Sequence, residues 1–180
     1  MKVERTAIAD VLVLEPKAFG DERGFFMETW NERVFEKIGI KEKFVQDNHS
    51  LSAKNVLRGL HYQLRQAQGK LVRVTAGEIW DVAVDLRRRS ASFGRWVGTR
   101  LDAASHRMIW VPAGFAHGFL VLSERADVHY KTTDYYAPGD ERTLLWNDPE
   151  LGIAWPLAGE PVMSDKDRRG TPLAGAETYA

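Results

Sequence analysis

Short apolar runs separated by turn residues follow one another along most of this chain. Successive examples are VLVLEP, GFFMETW, KFVQDNHS, LRGLHYQ, GKLVRVTAG, EIWDVAVDLR, RWVGTRL, RMIWVPAG, HGFLVLS and ADVHYKTTDYY. In IWDVAVDLR every second residue from Trp80 to Leu86 is apolar, which is the period of a β-strand. Many such segments predict an all-β protein, built as a sandwich or a jelly-roll barrel, because closure hides most strand edges.

One segment departs from this pattern and predicts a short helix. NERVFEKIG begins with Asn31 at a helix N-cap position, spaces its apolar residues three or four apart, and ends at Gly39. Residues from about 160 to 180 lack apolar periodicity and predict a loop-rich C-terminal extension that packs across the barrel where it is ordered. No linker or repeat interrupts the chain, so we expect residues 1–180 to form a single domain.

Charge and cysteine content narrow the classes of function. The 25 Lys and Arg residues balance 25 Asp and Glu residues, and no basic run offers a footprint for nucleic acid or an anionic membrane. No apolar stretch has the length of a signal-peptide core or a membrane span. The chain has no cysteine, which excludes disulfides and thiolate zinc sites. We therefore expect a cytoplasmic protein with neither nucleic acid nor a membrane as partner.

Two histidine segments resemble a reduced form of the cupin metal-binding pattern. WVPAGFAHGF places Pro112, Gly114 and His117 in the P-x-G-x-x-H spacing of the second cupin motif. The first motif needs H-x-H and a following glutamate, but LRGLHYQ supplies only His61, with Gln63 at the second histidine position. A catalytic metal usually takes three protein ligands, so the sequence predicts no metal site.

The neighbours of His61 favour proton transfer over the alternative of a hydrogen-bonded core histidine. In GKLVRV, Lys70 shares a strand face with two valines, and in ADVHYKTT, Tyr130 shares the face of Val128. A barrel interior that holds a histidine, a lysine and a tyrosine has the parts for acid–base catalysis. The alternative for Lys70 is that its charge extends to a barrel rim.

Strict alternation in LRGLHYQ turns both Arg58 and Tyr62 away from His61. A bulge at Gly59 would aim Arg58 toward the same site, because one extra residue shifts the alternation by one.

Eight ordered blocks of the chain resemble the dTDP-4-dehydrorhamnose 3,5-epimerase family over nearly its whole length. The blocks are DERGFFMETW, FVQDNHSLS, VLRGLHYQ, QGKLVRVTAGEIWDVAVDLRRRSASFGRWVG, VPAGFAHGFLVLSE, YKTTDYYAPGDE, LWNDPELGIAWP and SDKD. The resemblance implies a metal-free, cupin-type jelly roll (a double-stranded β-helix barrel) with a few short peripheral helices, acting as a homodimer without a cofactor. The implied substrate is the sugar nucleotide dTDP-4-dehydro-6-deoxy-D-glucose, inverted at C3 and C5 to give dTDP-4-dehydro-L-rhamnose.

The resemblance also implies a catalytic set. His61 of the GLH motif is the base, Asp167 of the S-x-K-D motif orients it, and Tyr130, which heads Y-K-x-T-x-Y-Y, is the proton donor. Removing a proton next to a ketone calls for a base that is not permanently charged, and imidazole titrates near neutrality. A carboxylate on the other ring nitrogen fixes the tautomer, and Lys70 would place positive charge at the developing C4 oxyanion.

Binding of the nucleotide calls for different side chains. Arginine forks suit a diphosphate, and aromatic faces with amide or carboxylate edges suit thymine. The family pattern implies Arg23, Arg58, His117 and Lys166 for the diphosphate, and Phe19, Glu28, Gln46, Asn48, Tyr136 and Glu141 for thymine. The region of Arg23 and Glu28 is implied to come from the partner subunit.

The sequence is also compatible with three other functions. A related dTDP-4-keto-sugar 3- or 5-mono-epimerase or 3,4-ketoisomerase shares the barrel and the His–Asp pair. More remote are a metal-dependent cupin and a non-catalytic sugar-nucleotide binding module. Taken singly, Arg23 and Glu141 are ordinary turn charges and Asp167 is a solvated carboxylate; their joint occurrence is what favours a site.

Overall fold

The computed structural model describes all residues from Met1 to Ala180 and consists mainly of β-strands. The strands are β1 (Lys2–Arg5), β2 (Leu12–Glu15), β3 (Ala18–Asp21), β4 (Gly24–Met27), β5 (Gln46–Ala53), β6 (Leu57–Gln63), β7 (Lys70–Ala76), β8 (Glu78–Asp85), β9 (Trp96–Asp102), β10 (Met108–Val111), β11 (Phe115–Val121), β12 (Arg125–Thr132) and β13 (Glu141–Thr143). Two short helices, α1 (Glu32–Lys37) and α2 (Asp165–Arg168), and a 3-10 turn at Leu173–Gly175 complete the fold. The predicted all-β class with a few short helices is confirmed. No helix combines the length and the hydrophobicity that crossing a membrane requires.

Two antiparallel sheets form the jelly roll. The six-stranded sheet has the order β1-β2-β10-β7-β12-β5, and the five-stranded sheet has the order β13-β6-β11-β8-β9. Because β5 and β7 lie in one sheet and β6 and β8 in the other, the chain crosses repeatedly between them. The largest apolar cluster draws on both sheets, with Val72 and Val128 from the first and Ala83 and Phe119 from the second. The barrel interior is therefore filled by inward-facing side chains.

Strand β8 is buried on both faces, although its alternation predicts one apolar face. Ala83 joins the interior cluster, while the opposite face packs against the C-terminal segment. That second cluster includes Val82, Val84, Leu86, Leu173 and Ala176. The C-terminal extension is thus ordered and covers the outer face of the five-stranded sheet.

Helix α1 forms where the sequence predicts it and covers the outer face of the six-stranded sheet. Asn31 occupies the N-cap position, but its side chain makes no capping bond and its amide donates instead to Glu28 Oε2, 2.9 Å away. Phe35 is the fully buried residue of the helix. It packs in a third cluster with Leu12, Leu14, Ile40, Leu71, Met108 and Trp110.

Strands β3 and β4 form a hairpin that belongs to neither large sheet. Three of its aromatic side chains are largely exposed: Phe19, Phe25 and Phe26, the last at 73%. Clustered exposed aromatic residues are typical of a surface that contacts another protein chain.

Candidate active site

A short hydrogen bond joins His61 and Asp167 across 106 residues of sequence. His61 Nε2 lies 2.6 Å from Asp167 Oδ1. An ionised carboxylate only accepts hydrogen bonds, so Nε2 carries the hydrogen and Nδ1 keeps a free lone pair. The structure therefore brings together the two residues that the GLH and S-x-K-D motifs single out.

Helix α2 fixes the position of Asp167. Ser164 caps this helix by accepting a hydrogen bond from the N–H of Asp167 at 3.2 Å, and Gly59 donates its N–H to Asp167 Oδ2 at 3.4 Å. Burial acts to raise the pKa of Asp167, but the hydrogen bond and charge of His61 outweigh it and hold the pKa below its ordinary value. Asp167 is therefore an anion at neutral pH, suited to stabilise an imidazolium. Asp165, by contrast, is exposed.

A bulge in β6 turns Arg58 and His61 to the same side. His61 lies opposite His117 on β11, and Arg58 lies opposite Phe119, so β6 holds one more residue than β11 over this interval. Gly59 within the bulge has φ +109°, and a Cβ there would lie 2.6 Å from the carbonyl oxygen of His117. Only glycine satisfies both conditions. Arg58 and His61 consequently line one cavity of about 380 Å³, together with Lys166 and Asp167.

Lys70 on β7 and Tyr130 on β12 face the barrel interior beside His61. Lys70 is buried, and its Nζ donates to the carbonyl oxygen of His61 at 3.4 Å. Burial lowers the pKa of Lys70 to about 8, with the charges of Asp81 and Glu141 opposing this effect. Burial raises the pKa of Tyr130, so its hydroxyl stays protonated at neutral pH. The pair offers a cation and a proton donor in one place.

A second cavity, of about 240 Å³, contains four of the six residues predicted for thymine. Gln46, Asn48, Tyr136 and Glu141 line it together with His61, Lys70 and Tyr130. Glu141 accepts hydrogen bonds from Lys166 Nζ at 2.9 and 3.0 Å and from the Tyr136 hydroxyl at 3.0 Å. Burial acts to raise the pKa of Glu141. The hydrogen bond from Lys166 and the charge of His61 outweigh burial and hold this pKa below its ordinary value. Glu141 is thus an ionised acceptor at the cavity wall.

His117 lies inside the barrel and is already bonded to a carboxylate. Its Nε2 lies 3.0 and 2.9 Å from the two oxygens of Asp81, which is fully buried. His117 lines neither of the two cavities that contain His61. No group of three or more histidine and carboxylate side chains is arranged to hold a metal ion.

Phe19, Arg23 and Glu28 lie in or beside the β3–β4 hairpin. All three are exposed, and Arg23 is paired with Asp21 at 2.5 Å. None of them lines a cavity that contains His61. Within one chain, the structure does not bring these predicted residues to the others.

Three polar residues of the site region have contacts that the sequence does not predict. Asp81 occupies the less apolar face of IWDVAVDLR, which simple alternation assigns to the outside, yet it points into the barrel at His117. Ser164 could have been found as the N-cap of a short helix, since serine precedes D-K-D there. Gln63 occupies the position of the missing metal ligand, and no sequence pattern indicates that it is buried.

The fold and the site together define a cupin-type jelly-roll enzyme with acid–base groups inside its barrel. A family model described as dTDP-4-dehydrorhamnose 3,5-epimerase matches residues 5–175. A relative from Pseudomonas aeruginosa, named dTDP-4-dehydrorhamnose 3,5-epimerase, is 61% identical over 180 residues, covering 99% of each chain. The chain belongs to the dTDP-4-dehydrorhamnose 3,5-epimerase family.

Solved structures agree with this assignment. The dTDP-6-deoxy-D-glucose-3,5-epimerase of Legionella pneumophila, in complex with dTDP-4-keto-L-rhamnose, matches with a TM-score of 0.96 and 50% identity, covering 98% of this chain and 94% of that one. A 3'-monoepimerase from Streptomyces bikiniensis, in complex with dTDP-quinovose, matches with a TM-score of 0.88 and 33% identity, covering 94% and 87%. The same fold therefore also occurs in an enzyme that inverts a single sugar carbon. The fold alone does not determine how many sugar carbons are inverted.

Proposed function

We propose that this protein is an isomerase that inverts C3 and C5 of dTDP-4-dehydro-6-deoxy-D-glucose to give dTDP-4-dehydro-L-rhamnose. The observation that carries the proposal is the 2.6 Å bond between His61 and Asp167 beside Lys70 and Tyr130. The high identity to 3,5-epimerases over the whole chain supports both the substrate and the inversion of two centres.

Proton abstraction is the first step. Nδ1 of His61 removes the proton from C3, the C–H electron pair forms a C3–C4 double bond, and the C4 carbonyl becomes an enolate oxygen. Asp167 stabilises the imidazolium that forms and holds the ring in position. The ammonium of Lys70 stabilises the negative charge on the C4 oxygen.

Protonation from the opposite face completes the inversion. Tyr130 donates its hydroxyl proton to C3 across the sugar ring, and exchange with solvent restores the tyrosine and the neutral histidine. The same cycle at C5, on the other side of the C4 carbonyl, inverts the second centre. No cofactor enters either cycle, because each only exchanges a proton.

The nucleotide is held along the two cavities that meet at His61. Arg58 and Lys166 supply cations for the diphosphate. His117 is left out of this set, because its Nε2 is bonded to Asp81 and it lines neither cavity. The ring of Tyr136 provides a stacking face for thymine. The edge of the base is bound by Gln46, Asn48 and Glu141.

A homodimer would complete the site. Arg23, Glu28 and Phe19 lie away from His61 of their own chain, on or beside a hairpin with exposed aromatic side chains. We therefore place them at the site of the partner subunit. In this proposal residues 1–180 form a single domain, and its C-terminal extension supplies Asp167. We also propose a cytoplasmic location, which suits a chain without cysteine.

Isotope exchange in heavy water tests the reaction. Incubation with dTDP-4-dehydro-6-deoxy-D-glucose should introduce deuterium at both C3 and C5, detected by NMR of the sugar. Label at one centre only would reduce the assignment to a mono-epimerase. Absence of label would leave only a binding module, and a requirement for stoichiometric metal would indicate a metal-dependent cupin.

A further inference from the structure

Gln63 is a buried residue close to the catalytic histidine, and it takes no part in the proposed proton transfers. It ends β6, two residues beyond His61, and is 3% exposed. It occupies the position where the cupin metal-binding pattern has its second histidine. Buried amides are almost always hydrogen-bonded, so its role is found in the groups it binds.

The carboxamide of Gln63 binds the loop 133–140, which joins β12 to β13. Its Oε1 accepts from the N–H of Ala137 at 2.8 Å. Its Nε2 donates to the carbonyl oxygens of Tyr135 at 3.1 Å and Gln66 at 2.6 Å. The bonds to Tyr135 and Ala137 hold the backbone on both sides of Tyr136. A carboxylate has no donor, so glutamate cannot reproduce this pattern.

Tyr136 is held by two further groups. Its N–H donates to Gln46 Oε1 at 3.0 Å, and its hydroxyl donates to Glu141 Oε2 at 3.0 Å. Its residue surface is 53% exposed, and it lines the cavity that contains His61. The loop is thus fastened to the five-stranded sheet by Gln63 and to the six-stranded sheet by Gln46, while the ring stays accessible to a flat ligand.

We propose that Gln63 is a positioning residue that sets nucleotide affinity by holding the ring of Tyr136 in its stacking orientation. The inference rests on the proposed function, in which Tyr136 stacks on thymine. A loop released from Gln63 would have to be ordered when the nucleotide binds, and that loss of conformational freedom weakens binding. His61, Lys70 and Tyr130 lie on strands of the barrel, so the chemical step does not depend on this anchor.

Gln63→Leu separates binding from chemistry. We expect the Kd for dTDP, measured by calorimetry, and the KM for the sugar nucleotide to rise at least about tenfold, while kcat stays within about threefold. Gln63→Glu keeps the side-chain volume and the acceptor for Ala137 but turns a carboxylate toward two carbonyl oxygens. It should show the same division between KM and kcat, and it supplies the measurement if the leucine variant folds poorly.

Two comparisons distinguish positioning from a general loss of structure. In a Tyr136→Ala background, adding Gln63→Leu should change dTDP affinity by less than about twofold, because the ring is already absent. Tyr179→Phe removes a hydrogen bond of 2.5 Å to the carbonyl oxygen of the same Gln63 without touching the loop. This matched control should bind dTDP as the unsubstituted protein does.

Unchanged dTDP affinity in both Gln63 variants would overturn the inference. So would a full tenfold loss that persists without the Tyr136 ring, since Gln63 would then act by another route. If the unsubstituted protein fails to bind dTDP, the proposed nucleotide site falls together with this inference. If it binds dTDP and epimerises while the Gln63 variants bind equally well, only the role of Gln63 is lost.

Discussion

Replacing Lys70 by methionine measures how strongly a buried ammonium group destabilises this barrel. Methionine has a similar length and volume but carries no charge. Burial lowers the pKa of Lys70 from 10.5 to about 8, which corresponds to about 3 kcal/mol against the charged form in the folded protein. We therefore expect Lys70→Met to raise the free energy of unfolding by about 3 kcal/mol at pH 7, or Tm by roughly 6–12 °C.

The pH dependence separates this effect from better packing. Unfolded Lys70 keeps its proton up to a pKa of 10.5, whereas folded Lys70 loses it near 8, so the unfolded state binds more protons between these values. The stability of the unsubstituted protein accordingly rises with pH in that window. The advantage of Lys70→Met should be full below pH 8, decline between pH 8 and 10.5, and vanish above. Urea unfolding followed by tryptophan fluorescence at a series of pH values measures it.

An exposed lysine provides the control, and activity provides the second readout. Lys54→Met removes a cation whose side chain is 49% exposed and paired with Glu124, so its stability should change little at any pH. Lys70→Met should lower kcat by about 10²–10³-fold, because the C4 oxyanion loses its cation. A Lys70→Met protein that is no more stable at pH 7, or whose advantage persists at high pH, would refute the argument.

Three further experiments test the acid, the orienting carboxylate and the dimer. Tyr130→Phe should lower turnover more than abstraction, so solvent deuterium exchange at C3 should persist while product formation falls, as NMR would show; equal losses would contradict its role as the acid. Asp167→Asn should lower kcat by about 10²-fold or more by releasing the His61 tautomer. Because the pKa of Asp167 lies below its ordinary value of 3.8, the stability its carboxylate contributes should be present above about pH 4 and be lost in acid, so unfolding of the two proteins should converge there. Mixing inactive Arg23→Ala and His61→Asn proteins should restore about a quarter of the activity if Arg23 serves the partner's site; no recovery would place Arg23 elsewhere.

Local pattern was sufficient to predict the strands and the inward-facing side of β7 and β12. The alternation around Val72 and Val128 correctly predicts that Lys70 and Tyr130 face the barrel interior. Gly59 indicates the bulge of β6, since a strand glycine allows the backbone conformation that the extra residue needs. The family's motifs supplied the identity of the base and its partner.

The alternation of apolar residues in β8 did not predict which groups cover its two faces. It distinguishes two faces but does not say what covers each one. The C-terminal segment, which has no apolar periodicity, buries the outer face, and Asp81 lies on the inner face among apolar residues. Burial of this carboxylate is possible because His117, from the neighbouring strand, is bonded to it.

The sequence by itself determined an all-β chain, the residue types of an acid–base site and the absence of thiol chemistry, because these depend on composition and on a two-residue period. Only the tertiary structure decided that Asp167 meets His61, that His117 is bonded to Asp81, and that Gln63 holds the loop of Tyr136. Each of these contacts joins residues between 36 and 106 positions apart. Strand pairing and the packing of the C-terminal segment set such distances, and neither leaves a periodic trace in the chain.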